Sequence, residues 1–243
     1  MSDNRTIVLC ATQRSGSTLV CEDLRNNDLG LAEEHFIPFV KREPPDGVNT
    51  LARVRQRGTD AGGIFSVKVM AGYAGKVDAL LRRNDENASA KHWNALARKF
   101  EQALWVHLDR RSIVRQAISQ TIVGKVGFAH ALSGEGRLEP GLATTEFNGI
   151  FDRKITIDDR KLDDLCLDIV KERELWERFF FENEIEPVRL IYEDIVDDAT
   201  YLRGIIERLG IKREVINSDR KLMKIGNATN EKVWREYLSA KNR

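Results

Sequence analysis

Ile7-Val8-Leu9-Cys10-Ala11-Thr12-Gln13-Arg14-Ser15-Gly16-Ser17-Thr18 is an apolar run that stops at a glycine turn. Five consecutive apolar residues read as a short strand covered on both faces. From Thr18 to about Asn26 the spacing turns helical. Leu19, Val20 and Leu24 share one face, with Glu22, Asp23 and Arg25 opposite. Ser15 or Ser17 is suited to cap the first turn. The segment is therefore strand, tight turn, helix.

Working outward, similar strands are expected at residues 64–70, 103–108 and 188–192, each bounded by turn or helical signals. Helical spacing is read at 50–57, 74–83, 93–100, 113–126, 158–183, 199–209 and 231–240. Residues 29–36 form a connection, and 37–63 read mostly as loop because of Pro38, Pro44, Pro45 and the Gly62-Gly63 pair. The stretch 128–151 is glycine-rich and irregular, a candidate lid over an acceptor. Strands alternating with helices imply an α/β fold: a mostly parallel sheet with helices on both faces. The 243 residues, 42% hydrophobic, are enough for one core, so 1–243 is read as a single domain.

Charged residues make up 32% of the chain, yet the net charge is only +1. No global field favours nucleic acid or an anionic membrane, so any polyanion site must be local. Cys10, Cys21 and Cys166 have neither CxxC nor Cys/His spacing, which argues for plain thiols over a disulfide framework or zinc. No metal site is expected. The opening residues carry no signal-peptide pattern and no membrane span is read. A cytoplasmic protein without integral membrane contact is expected.

In open α/β sheets, ligands bind beyond the carboxyl ends of the strands. A strand-to-helix turn there offers N–H groups without internal partners and the positive end of a helix dipole. Gly16 allows close backbone approach, while Ser15, Ser17 and Thr18 bring hydroxyls and Arg14 a cationic fork. The pattern lacks the Gly-Lys-[Ser/Thr] ending of a Walker A loop, which disfavours a magnesium-dependent kinase or ATPase. A second basic corner follows the third strand: Arg110 and Arg111, with Arg115 and Ser119 on the next helix. Arg111, Arg115 and Ser119 share a face if that helix starts early. Two such corners at neighbouring strand ends suit a ligand with two separate anionic groups.

Thr12-Gln13-Arg14-Ser15-Gly16-Ser17-Thr18-Leu19, with Arg110 and Ser119 downstream, resembles the nucleotide-binding loops of bacterial carbohydrate sulfotransferases, closest to the trehalose 2-sulfotransferase family and the lipopolysaccharide- or nodulation-type group overlapping it. The resemblance implies a P-loop-like sulfotransferase fold. It implies 3′-phosphoadenylyl sulfate (PAPS) as donor, PAP as product, a carbohydrate-type hydroxyl as acceptor, and a homodimer. On this likeness the first loop holds the 5′-phosphosulfate and Arg110 and Ser119 hold the 3′-phosphate; Arg111, from the same basic corner, is counted with them as a cofactor-binding candidate. The stretch from Gly30 to Phe36 resembles the segment of the family's catalytic glutamate, which falls on Glu34, with Glu33 and His35 as open alternatives. Residues 65–70 resemble its next core strand, with Lys68 toward the site, and 191–195 a late strand and turn. Lys224-Ile225-Gly226-Asn227 stands where a basic loop folds over the nucleotide in many sulfotransferases. The acceptor-side insertion of the family is short here, a departure that argues against trehalose itself as acceptor; sugar, glycolipid and small alcohol all fit the sequence.

The expected catalytic set is Glu34, Arg14 and Lys68. Two rivals stay open: a nucleotide-dependent phosphotransferase on a similar sheet, and a non-catalytic nucleotide-binding protein. Trp176, Phe179–Phe181 and Trp105 are read as core, and the acidic pairs at 158–159 and 163–164 as helix-start carboxylates.

Overall fold

A computed structural model describes residues 5–42, 49–83, 85–126, 130–132, 142–144, 158–223 and 228–241. In chain order the elements are β1 (Thr6–Ala11), α1 (Ser17–Asn26), α2 (Ile37–Lys41), α3 (Thr50–Gly58), β2 (Phe65–Met70), α4 (Ala71–Arg82), α5 (Asn94–Lys99) and β3 (Leu104–Asp109). Then come α6 (Ile113–Val126), β4 (His130–Leu132), β5 (Leu142–Thr144), α7 (Asp159–Glu182), β6 (Val188–Ile191), α8 (Tyr192–Ile195), α9 (Leu202–Arg208), β7 (Leu222–Met223) and α10 (Ala228–Lys241). They fall into two compact units, Met1–Asp109 with Glu172–Ser218, and Arg110–Lys171 with Asp219–Arg243.

The first unit holds a four-stranded, all-parallel sheet in the order β2-β1-β3-β6. This is the expected α/β arrangement. Val8 and Cys10 of β1 point into one apolar layer with Val67, Val69, Phe36, Phe100, Trp176 and Phe179. Ile7, Leu9 and Ala11 point into the other, with Val20, Cys21 and Leu24 of α1 and Leu202, Ile205 and Ile206 of α9. Helices cover both faces, which is why β1 is apolar at every position instead of alternating. The register aligns the strand ends: Ala11 lies opposite both Met70 and Leu108, and Asp109 opposite Ile191. Three strands therefore terminate at one level, where the connecting turns gather.

Trp176 and Trp105 are core residues, as expected from their sequence context. Trp176 is fully buried, and its indole N–H donates to the Ala11 carbonyl at 3.0 Å, tying α7 to the end of β1. Phe181 departs from the reading, being one of the exposed large apolar side chains. It shares α7 with Phe179 and Phe180, but the helical period turns it to the opposite side.

The second unit packs α6, the first part of α7 and α10 around Ile118, Ile122, Leu162, Ile169, Val233 and Tyr237. A small sheet, β5-β4-β7, accompanies them, with β4–β5 parallel and β4–β7 antiparallel. It was not anticipated, because strands of two or three residues carry too little periodicity to read. β4 and β5 fall inside the stretch expected to be an irregular lid; the rest of 128–151 lies outside the described residues, as does Lys224–Asn227. Among the described residues no helix is long and apolar enough to cross a membrane.

Candidate active site

The turn after β1 is built from unusual backbone angles. Arg14 has φ 63° and Gly16 φ 98°, both left-handed. For Arg14 this conformation costs roughly 1–2 kcal/mol, a strain that clusters where function requires it. Ser15 between them is fully buried, its hydroxyl donating to the Thr12 carbonyl at 2.8 Å and its N–H to the same oxygen at 3.3 Å. The expectation that Ser15 or Ser17 caps α1 is therefore corrected. The N-cap is Gly16, which has no side chain to cap the first turn. Ser15 uses its donors to shape the turn. The start of α1 keeps the N–H-rich, dipole-positive end that an anion needs.

Gly16 is constrained from behind. A Cβ added there meets Tyr192 Cδ2 at 2.2 Å, so the aromatic ring lies directly against the glycine backbone. Tyr192 follows β6 immediately. Sequence reasoning placed it at a strand end without finding this role; no local signal joins residues so far apart in the chain. Arg173 was also missed. It sits on α7, one turn before Trp176, and pairs with Asp109 at the end of β3 at 2.7 Å. Glu172 lies beside Gly72, just past the end of β2. α7 thus brings Glu172, Arg173 and Trp176 to the ends of β2, β3 and β1 in turn.

Residues 29–35 run along the outer edge of β2. Lys68 N–H donates to the Glu33 carbonyl at 3.0 Å, and Leu31 N–H to the Gly58 carbonyl at 2.9 Å. Ser66 Oγ donates to the Leu29 carbonyl. Gly30, with φ 90°, is required by the close approach, since a Cβ there would lie 2.7 Å from the Ser66 nitrogen. The three base candidates separate. Glu33 is paired with Arg25 of α1, and His35 Nε2 lies 2.7 Å from the Leu31 carbonyl. A carbonyl only accepts, so that nitrogen carries a proton and is not a base. Glu34 Oε1 lies 3.4 Å from Lys68 Nζ, the ammonium buried and the carboxylate 37% exposed. The structure thus brings Glu34 and Lys68 together.

In the second unit, α6 begins at Ile113, with the Arg115 N–H donating to Ser112 Oγ at 3.3 Å. Arg111 therefore precedes the helix and does not share a helical face with Arg115 and Ser119 as expected. Arg115 is engaged by α10, donating to Glu231 Oε2 at 2.7 Å with its guanidinium 4.0 Å above the Trp234 ring. Arg111 is exposed, and Arg110 and Ser119 are half-buried.

Residues 40–239 match the family described as Stf0 sulphotransferase. The chain belongs to the Stf0 sulphotransferase family. It is a transferase that moves a sulfuryl group. The match begins at residue 40, so it takes in β2, β3, α6 and α7 but not the first loop or Glu34. No curated protein matches the chain.

One titrating group of this Stf0 sulphotransferase lies within β3. His107 is 3% exposed, packs against Phe180, and its Nε2 has no hydrogen-bond partner among the described residues. Burial, opposed by Asp109 and Glu177, pulls its protonation down to about 4 from 6.5. The unfolded chain takes the proton near 6.5 and the folded chain near 4, so the unfolded state binds more protons in between. Stability is whole above pH 6.5 and falls as pH drops toward 4, by on the order of 3 kcal/mol at the limit. Urea unfolding of the wild type and His107→Leu over that range is expected to show a shallower acid loss in the variant. Equal slopes would remove His107 as the cause.

Proposed function

We propose that this Stf0 sulphotransferase transfers the sulfuryl group of PAPS to a hydroxyl of a carbohydrate or glycolipid acceptor, with Glu34 as general base. The observation that carries the donor half is the left-handed Arg14–Gly16 turn opening onto an α1 start with no side-chain cap. Such a turn suits tetrahedral anions, because its N–H groups and the helix dipole favour negative charge. In the proposed reaction the acceptor oxygen bonds to sulfur as the bond from sulfur to the phosphate-bridging oxygen breaks. The acceptor proton passes to Glu34 and PAP leaves.

Catalysis of this kind is mainly positioning and charge stabilisation, by analogy with phosphoryl transfer. Backbone N–H groups of 16–18 hold the 5′-phosphate, with Ser15 shaping the turn and the Ser17 and Thr18 hydroxyls beside it. Arg14 meets charge growing on the bridging oxygen, a task worth about 3–4 kcal/mol per donor in comparable sites. Arg110, Arg111 and Ser119 take the 3′-phosphate, the group that distinguishes PAPS from ATP. Glu34 is favoured over its neighbours as base because Glu33 is paired to Arg25 and His35 donates to Leu31.

Thermal unfolding with ligands tests the donor. PAP at one hundred times its Kd is expected to stabilise the fold by about 2.7 kcal/mol, and ATP with magnesium by far less. Stabilisation by ATP with magnesium alone would make the protein a phosphotransferase. PAP binding without sulfuryl transfer to any hydroxyl would make it a non-catalytic binder.

A further inference from the structure

Lys68 is an unusual residue to find inside a sheet. It lies on β2 between Ser66 and Met70, 5% exposed, on the side of the sheet covered by α1. Isolated buried lysines usually lose their proton. Here burial is the largest influence and pulls Lys68 down, but the charges of Cys21, Glu34 and Glu33 together outweigh it. Cys21 is itself pushed up to about 12 by burial, and Glu34 is the carboxylate that touches the ammonium. Lysine at this position is also doubly engaged with one short segment. Its N–H donates to the Glu33 carbonyl at 3.0 Å while its Nζ reaches Glu34 Oε1 at 3.4 Å. Tyr73, in the first turn of α4, donates its hydroxyl to the Lys68 carbonyl at 3.1 Å. Burial pushes that phenol up, and Glu34, which also hydrogen-bonds the Tyr73 side chain, pushes it further, so it stays protonated.

A buried ion pair is weak evidence for stability, since well-packed apolar groups often do as well. What this pair supplies is direction. We infer that Lys68 is a positioning residue for Glu34 and does not touch the sulfuryl group: its ammonium holds Oε1 so that the exposed side of the carboxylate faces the acceptor hydroxyl, and Tyr73 braces the pair through the Lys68 carbonyl and the Glu34 side chain. The inference rests on the reading of Glu34 as the base. It separates two tasks on one carboxylate, anchoring on the side turned to the sheet and proton acceptance on the exposed side.

The test combines NMR with kinetics. In 15N-labelled protein the Lys68 ammonium is expected as a slowly exchanging signal, identified by its loss in Lys68→Met. Glu34→Gln is expected to shift it; an unmoved signal overturns the contact. PAPS turnover, read as PAP release with a panel of sugars and with water as acceptor, is expected to fall about 10²-fold in kcat for Lys68→Met. KM for PAPS is expected to stay within about two-fold, because uniform donor binding is untouched. A rise in KM for PAPS with kcat unchanged would make Lys68 a donor contact and overturn the proposal. Lys68→Arg, which keeps the charge, is expected to recover part of the lost kcat. Tyr73→Phe removes one oxygen without opening the core, and is expected to lower kcat in the same direction. If Glu34→Gln turns over at the wild-type rate, the base reading is lost even though the ammonium signal moves.

Discussion

Glu34→Gln is expected to lower sulfuryl transfer by about 10²–10⁴-fold, the usual contribution of a general base, while PAP binding is retained. Glutamine keeps the volume and the hydrogen-bonding oxygen but cannot take a proton. The Glu34 carboxylate is 37% exposed beside a buried ammonium, so it has an anchor and still reaches solvent. Glu33→Gln is the matched control. Glu33 is paired with Arg25, and surface pairs of that kind contribute about 0–1 kcal/mol, so the control is expected to be nearly silent. Isothermal titration with PAP alongside initial rates separates binding from chemistry. If Glu33→Gln carried the loss and Glu34→Gln did not, the base would move one residue along the chain. Urea unfolding of Glu34→Gln adds a check on the core: Lys68 stays buried with Glu33 as its remaining carboxylate, so some stability should go with the activity.

Gly16→Ala is expected to abolish the stabilisation by PAP and to weaken the fold itself. Two separate physical effects act. An alanine at φ 98° pays roughly 1–2 kcal/mol of backbone strain. Its Cβ also arrives 2.2 Å from Tyr192 Cδ2, where something must shift, and overpacking of this kind typically destabilises by about 1–3 kcal/mol. For a domain of this size each kcal/mol lowers Tm by roughly 2–4 °C. The double variant Gly16→Ala/Tyr192→Ala tells the effects apart. It removes the clash but leaves the strain, so the two changes should couple instead of adding. Unchanged PAP binding in Gly16→Ala would remove the turn from the donor site, and with it the main support for the PAPS reading.

Much of the fold was legible. β1, β2 and β3 were found within a residue or two because strands covered on both faces are mostly apolar, Ser66, Lys68 and His107 being interruptions, a pattern that needs no partner to be recognised. β6 was found too, although its flanks are more polar. α4 was placed three residues late: it begins at Ala71 directly from β2, with no loop, and Met70 in extended geometry serves as its N-cap. The short α2 was missed inside a region rich in proline, since Pro38 reads as a breaker when it in fact occupies the first turn, where its missing N–H is harmless. The helix start at Ile113 was read correctly, and the condition for Arg111 to share a face with Arg115 and Ser119, an earlier start, is ruled out by the cap at Ser112.

By itself the sequence determined the chemistry at the strand ends: a glycine turn bearing Arg14, a glutamate pair at 33–34, and a parallel α/β order whose turns gather at one edge. These are local facts, written in runs of ten residues or fewer. Only the tertiary structure decided that Tyr192 closes the back of Gly16, that Arg173 arrives at the end of β3, and that Lys68 chooses Glu34. Each of those contacts joins segments tens to nearly two hundred residues apart. They follow from strand register and helix rotation, which are set by how whole apolar faces pack and leave no mark on the residues beside them.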